Sequence, residues 1–341
     1  MRLGPGFLKI TVDIAIVVVV GLGLALLIRG SESRGEPAAP ADTHTSAKDP
    51  ATPVTTQQSQ NRRPLTPEEE RVIVHKGTER PFTGEYVDRF DKGVYVCRRC
   101  GAMLYRSDDK FRSNCGWPAF DDEIPGAVER VPDADGVRTE IVCANCSAHL
   151  GHVFAGEHLT DKNTRHCVNS ISLLFVPAAE VKYGRAIFAG GCFWGVEYWF
   201  EQQPGVIEAT SGYTGGTTPD PTYEMIHSRH TGHAEAVEVL FDPVRVSFEQ
   251  LAKLFFEIHD PTQRNGQGPD LGAEYRSAIF CTDEAQKQVA DQLIAELRAR
   301  GMDIATQVAP AGTFWPAEDY HQDYYALKGS APVCHNRRPL W

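Results

Sequence analysis

The first apolar feature of the chain is a run without periodicity. Ile14 to Ile28 reads IAIVVVVGLGLALLI, and counted from Ile10 the segment nearly reaches the length of a bilayer span, at a cost from Asp13. Arg2 and Lys9 precede it, so the basic flank stays in the cytoplasm and the remainder is exported. An uncleaved signal anchor is the preferred reading, because Arg29 follows the run directly and no small-x-small site adjoins it. A cleaved signal peptide is the alternative, with PAAPA at 37–41 as its weaker cleavage site. Gly30 to Pro64 is rich in Pro, Ala, Thr, Ser and Gln and almost free of aromatics. Such a segment buries too little apolar surface to offset its ordering entropy and reads as a disordered tether.

Ordered patterning starts at LTPEEERVIVHKG. Thr66 is placed as an N-cap, Pro67 as the first helical residue, and Glu69 completes a capping box. From Gly77 to about Pro177, short strand-like pieces (GVYVC, VRTEIVC, SISLLFV) alternate with turns and predict a small all-β domain. PAAEVKYGR is a second, short linker. From Ala186 the period changes again. AIFAGG is a strand running into a helix, and GVIEATSGYTGG and AEAVEVLFDP are strands. SFEQLAKLFFEIH is an amphipathic helix with Ser247 and Gln250 as its capping box. RSAIF is a strand, and DEAQKQVADQLIAELRARG is a helix closed by Gly301. DPTQRNGQGPDLG is too rich in Gly and Pro for regular structure and is expected to be a loop. The sum is an α+β layered domain.

Length and charge narrow the classes. The 341 residues suffice for two or three domains, and the formal net charge of -11 argues against a nucleic-acid surface. Nine cysteines are too few for a disulfide scaffold of this length, yet they are not scattered. Cys97 and Cys100 form CRRC, and Cys143 and Cys146 form CANC, each beside a strand. Two such pairs match a closed tetrahedral zinc site, structural because no position is left open. Redox pairs and disulfides are the alternatives. Asn145 opens a glycosylation triplet, but a candidate ligand lies inside it.

Cys192 raises a different question. It stands behind Gly190 and Gly191 and before Phe193 and Trp194, where a helix begins. A helix N-terminus lowers a thiol pKa, the glycines allow a sharp turn, and the aromatics offer an apolar wall. A buried helix-start cysteine among core aromatics fits the same stretch.

Here the sequence resembles a known family. GGCFWG, GYTGG, TYEMI, TGHAEAVEV, HDPTQ, YRSAIF and AEDYHQDY resemble methionine sulfoxide reductase A. GTERPFTGEY, CRRCGAMLY, CGWPAF, CANCSAHLGHVF and RHCVNSISLLF resemble the unrelated reductase B. The resemblance implies a fused, multidomain B-then-A enzyme. Its parts would be an N-terminal segment at 1–29, a linker at 30–64, a zinc-clamped all-β B-type domain at 65–178, a linker at 179–185, and an A-type α+β two-layer sandwich with a ferredoxin-like core at 186–341. It implies one zinc ion, no organic cofactor, and reduction of protein-bound and free methionine sulfoxide, each half serving one epimer, S for A and R for B. In the A-type half it implies Cys192 as nucleophile, Glu235 as the acid for the sulfoxide oxygen, and Tyr223 and Tyr275 as its hydrogen-bond donors. Asp270 would be a supporting carboxylate, Phe193 and Trp194 the methyl pocket, and Cys334 the resolving cysteine. In the B-type half it implies Cys167 as nucleophile, His149 and His152 as proton donors and oxygen or water binders, and Arg165 and Asn169 as groups that set the charge and hydrogen bonding of Cys167. Trp117 would be the apolar wall and Cys115 the resolving cysteine. Without the resemblance, Glu235 reads as an exposed strand carboxylate, Tyr223, Tyr275 and Asp270 as ordinary rim or turn residues, and the two histidines as core residues or ligands.

The chemistry needs these residue types. A thiolate attacks the sulfoxide sulfur while an acid protonates its oxygen, giving methionine and a cysteine sulfenic acid. A second cysteine condenses with the latter, and a thioredoxin-like dithiol, a separate protein working outside the cytoplasm, reduces the disulfide. Desolvation should keep Glu235 protonated. Cys281 is left over and reads as a packing residue. Two rivals remain: a general thiol peroxidase or disulfide oxidoreductase, and a zinc-clamped binding module joined to a degenerate enzyme domain.

Overall fold

The computed structural model describes residues 62–228 and 231–341. The signal segment and tether expected over 1–61 lie outside the described residues. Among the described residues, no helix is long and apolar enough to cross a membrane.

The first helix, Pro67–Ile73, begins as the sequence dictates, with Thr66 and Glu69 capping each other reciprocally. It leads into two antiparallel sheets. The smaller has three strands, Met103–Arg106, Gly93–Cys97 and Leu173–Pro177 in spatial order. The larger has six: Lys110–Phe111, Ala119–Phe120, Thr164–Val168, His149–Ala155, Thr139–Cys143 and Val128–Pro132. Tyr95, Leu104, Tyr105, Phe120, Ile141 and Leu150 fill the space between them and are fully buried. Aromatic edges and faces meet there; Tyr105 stacks on Phe120 with centroids 4.3 Å apart.

The second half is built on one six-stranded sheet. Its spatial order is Gln307–Pro310, Ser277–Cys281, Gly184–Gly190, Ala234–Phe241, Val206–Thr214 and Trp315–Pro316. Only the pairing of Ser277–Cys281 with Gln307–Pro310 is parallel. The four long strands follow the order 4-1-3-2 with a helix after the first and the third. Alternation along Gly184–Gly190 explains the layering: Ala186 and Phe188 face the helices Phe193–Glu201, Phe248–Ile258 and Glu284–Ala299, while Ile187 and Ala189 face a second, smaller cluster. Phe188 stacks between Phe200 and Phe255 at 4.9 and 5.1 Å. Cys281 is buried in this core.

Two local expectations need correction. The Gly- and Pro-rich stretch after His259 contains a short hairpin, Gly266–Gln267 with Asp270–Leu271. Gly268 supplies the turn with φ 58°. The strand expected from Ala186 begins at Gly184, paired with Phe241. The two halves also touch. Asp242, fully buried, accepts from the Met103 backbone N–H at 2.8 Å, and Arg106 donates to the Ile207 carbonyl at 2.7 Å. Arg245 donates to the carbonyls of Pro125 and Gly126, and Ile207 packs into the core of the first half.

Candidate functional site

Three cysteine clusters emerge. In the first, the Sγ atoms of Cys97, Cys100, Cys143 and Cys146 all lie within 4.8 Å of one another, and all four residues are buried. Cys97 and Cys146 are 3.7 Å apart, as are Cys100 and Cys143. Sulfurs about 2.3 Å from a tetrahedral zinc ion are about 3.8 Å from each other, so the set fits zinc.

The second cluster lies on the larger sheet of the first half. Ala119 pairs with Cys167, and His152 pairs with Cys167 from the other side. Ladder register therefore fixes the surroundings of this thiol. Cys115, on the loop ahead of Ala119, brings its Sγ to 3.5 Å from that of Cys167. Cys115 also receives Ser113 Oγ–H at 3.0 Å. With the two sulfurs sharing a proton, Cys167 is pushed up by its bond to Cys115 and by burial, and Cys115 is pulled down to about 5, chiefly by that same bond. Arg165 opposes the rise at Cys167 through its charge; it is itself held by Glu157 at 2.7 Å and lies over the Phe154 ring. A cavity of about 100 Å³ opens at Cys167, lined also by Trp117, His152, Phe154 and Asn169. Trp117 is fixed by donating Nε1–H to Glu79 O at 3.2 Å. Asn169 is buried and held at both ends of its amide, accepting from Glu79 N at 3.1 Å and donating to Leu150 O at 3.1 Å. It therefore braces the wall.

The two histidines of this half differ. His152 hydrogen-bonds through Nε2 to Asp133. His149 sits behind it, ring centroids 5.7 Å apart, and is outside the residues lining the cavity. Its Nδ1 meets Glu140 Oε1 at 2.7 Å, and Glu140 also receives Lys76 at 2.7 Å. Burial lowers the His149 pKa while Glu140 is held ionised by Lys76 and His149, so Nδ1 carries the hydrogen. That leaves Nε2 as a buried lone pair with no partner among the described residues.

The third cluster surrounds Cys192, the N-cap of the helix Phe193–Glu201. The strand ends at Gly190, and Gly191 turns with φ 93°; a Cβ there would come within 2.5 Å of the Gln267 side chain. Glu235, on the neighbouring strand and 2% exposed, accepts from the Phe193 N–H at 3.0 Å through Oε2. Its pKa is raised, by burial first. Tyr223 and Tyr275 face the same charge, and burial pushes Tyr223 up to about 12, so it stays a donor. Asp270 is raised by burial and by the nearby Cys334 sulfur. The Cys334 sulfur lies near enough to Cys192 for the two thiols to shift each other's pKa, Cys192 upward and Cys334 down to about 4. Phe193 is buried, and Trp194 stacks on Tyr324 at 3.7 Å. The expected depression of the Cys192 thiol is not found in this reduced arrangement. The Cys334 sulfur, burial and the Glu235 charge push it up and outweigh the Trp194 amide.

Comparison with known proteins covers both halves. Residues 184–340 match the family model "Peptide methionine sulfoxide reductase", and residues 65–177 match "SelR domain". A peptide methionine sulfoxide reductase MsrA from Nocardia farcinica is 48% identical over 160 residues, 46% of this chain and 92% of that protein. The chain belongs to the peptide methionine sulfoxide reductase family. It is an enzyme with an MsrB-type half followed by an MsrA-type half. An MsrA from Nitrobacter winogradskyi is 50% identical, with 46% of this chain and 87% of that protein covered. Among solved structures, reduced Mxr1 from Saccharomyces cerevisiae is 32% identical with TM-score 0.43, covering 46% of this chain and 93% of its own. Methionine sulfoxide reductase A of Corynebacterium diphtheriae is 36% identical with TM-score 0.40, covering 43% and 76%.

Several residues of the reductase sites escaped sequence reasoning. His227 reaches Glu235 Oε1 at 3.3 Å through Nε2 and Glu274 at 3.7 Å through Nδ1. Glu318 accepts from Tyr213 OH at 2.8 Å and from the Tyr223 N–H at 3.0 Å. Trp194 donates to His321 Nδ1 at 3.0 Å. Glu318, His321 and Tyr324 all lie in AEDYHQDY, a stretch matched as a motif but assigned no roles. Asp133 and Glu140 gave no signal, because carboxylates on turns and strands are usually solvated.

Proposed function

We propose that the chain reduces both epimers of methionine sulfoxide, the S form at Cys192 and the R form at Cys167, and passes the oxidation to Cys334 and Cys115. The observation that carries this reading is a doubled arrangement. In each half a half-buried thiol meets a second cysteine on one side and lies within one residue or one ladder pair of a proton source.

At the A-type site, Cys192 sulfur attacks the sulfoxide sulfur as Glu235 gives its proton to the oxygen. The S–O bond breaks, methionine leaves, and Cys192 becomes the sulfenic acid. Protonated Glu235 does not repel the thiolate, which removes one of the causes that hold Cys192 protonated. Tyr223 and Tyr275 hold the oxygen, and Phe193 with Trp194 receives the methyl group. At the B-type site, Cys167 attacks, His152 supplies the proton, Trp117 walls the methyl group, and the His149 Nε2 lone pair suits a bound water better than proton donation. Arg165 stabilises the Cys167 thiolate. Condensation with Cys334 or Cys115 expels water and leaves a disulfide, which a thioredoxin-like dithiol reduces by exchange.

The 4-1-3-2 strand order supports a ferredoxin-like core inside an α+β sandwich for the A-type half. The four buried thiols support one structural zinc ion clamping the B-type half. The apolar run of the first 29 residues supports a membrane-tethered, exported enzyme acting on oxidised proteins and free methionine sulfoxide. An epimer-resolved assay tests the assignment. Cys192→Ser should abolish only S reduction and Cys167→Ser only R reduction. Loss of both epimers from one substitution would sink the two-site reading.

A further inference from the structure

The resolving cysteine of the A-type half has an immediate neighbour of its own. Cys334 Sγ lies 3.1 Å from Nδ1 of His335. The other ring nitrogen, Nε2, lies 2.8 Å from the carbonyl oxygen of Gly190. A carbonyl oxygen only accepts, so Nε2 carries a hydrogen and donates it. In the neutral ring Nδ1 is then the lone pair, aimed at the sulfur. We propose that His335 is the base that takes the Cys334 thiol proton, making Cys334 a thiolate ready to attack oxidised Cys192. The proposal rests on reading Cys334 as the resolving cysteine.

The fold holds this imidazole as a fixed group. His335 is 1% exposed, and its backbone carbonyl accepts from Trp199 Nε1 at 3.1 Å. Gly195, on the nucleophile's own helix, leaves the room: a Cβ there would sit 2.3 Å from His335 Nδ1. The segment beyond is tied down by Arg337 to Glu257 at 2.8 Å and by Arg338 N to Glu257 O at 2.7 Å. One peptide carbonyl away from Cys192, Gly190 thus sets the tautomer of the base that serves its partner. The Cys334 thiol is pulled down to about 4, first by the Cys192 thiol, then by His335 and by Tyr325. The charged and titratable groups facing the pair are Cys192, Tyr325, Asp270 and His259.

The step balances. Cys334–S–H gives its proton to Nδ1, the thiolate attacks the sulfur of Cys192–S–OH, an S–S bond forms and the S–O bond breaks. The departing hydroxide and the proton stored on the imidazolium leave as water. Sulfur at Cys334 is oxidised and sulfur at Cys192 is reduced.

The test is single-turnover rapid quench of the full chain with one equivalent of the S epimer and no external reductant. Methionine and disulfide are followed separately by thiol-alkylation mass spectrometry. In His335→Gln, methionine is released and the disulfide forms about 10–100-fold more slowly at neutral pH. Its rate then climbs with pH towards about 8.5, where an unassisted thiol ionises. A merely loosened tail slows the step equally at every pH, so an unchanged pH profile overturns the proposal, as does an unchanged rate. A second measurement avoids the chemistry: with Cys192→Ser, Cys334 is alkylated by iodoacetamide at pH 6, and adding His335→Gln delays that to alkaline pH. Cys334→Ser separates the two readings. Disulfide formation surviving that substitution sinks the resolver assignment itself; its loss with an intact His335→Gln profile sinks only the base.

Discussion

The two halves bring a pair of cysteines together by opposite means. In the MsrB-type half Cys167 hangs on a strand paired on both sides, and Cys115, on the short loop ahead of the neighbouring strand Ala119–Phe120, comes to 3.5 Å from it. In the MsrA-type half the sheet places only Cys192; Cys334 arrives on a tail held by side chains, through Trp199, Arg337 and Glu257. The groups proposed as proton donors differ likewise: one is a carboxyl whose pKa is raised by burial, the other an imidazole held by an acidic turn residue. A sheet and the short loop at its edge can set two sulfurs side by side, whereas a tail needs its own anchors. That contrast also explains why the first half carries a four-thiol clamp: its strands are short, and a small all-β core needs a staple.

Breaking that clamp should have the largest effect. With the proposed zinc in that clamp, Cys143→Ser, or chelation, is expected to lower the zinc content found by elemental analysis and abolish R reduction, since such sites contribute about 10–16 kcal/mol to folding. S reduction should fall less than about tenfold; equal loss of both would erase the distinction between the halves. Next comes the buried acid. Glu235→Gln should lower kcat/KM for the S epimer by about 10²–10⁴ and leave the R epimer alone. The resolvers follow. Cys115→Ser should stop R reduction after one methionine per enzyme with a dithiol-protein donor, and steady turnover in that variant would displace Cys115 from its role.

A pH series sharpens the contrast more gently. Glu235 works protonated and its folded pKa is raised, so its contribution is present below that pKa and lost as pH climbs through it. The S first-turnover rate should therefore fall towards alkaline pH in the unaltered chain but not in Glu235→Gln; the same profile in both would separate Glu235 from proton delivery. The smallest effects are the caps. Thr66→Ala and Ser247→Ala each remove a reciprocal cap and should cost about 1 kcal/mol in denaturant unfolding, one in each half.

Much of this was legible in the sequence. Capping boxes announced both helices, period-two alternation announced the long strands, and paired C-x-x-C spacing announced the thiol cluster. Cys192 stood out because glycines and aromatics gathered around it, whereas Cys167 was reached only through the resemblance. What stayed hidden was carried by distance. His227 meets Glu235, Glu140 meets His149 and Glu318 meets Tyr213 only after folding, and each alone is an unremarkable polar residue. The Cys192 thiol was misjudged for the same reason, since local helix geometry said nothing of the second sulfur 142 positions away in number.

The seam between the halves adds a mechanical corollary. Ile207 and Asp242 belong to the second half by chain, yet one fills the first half's interior and the other receives an amide three residues beyond Cys100. Melting the first half would uncover greasy surface on its neighbour, so calorimetry should see the second half melt at a lower temperature in Cys143→Ser than in the unaltered chain.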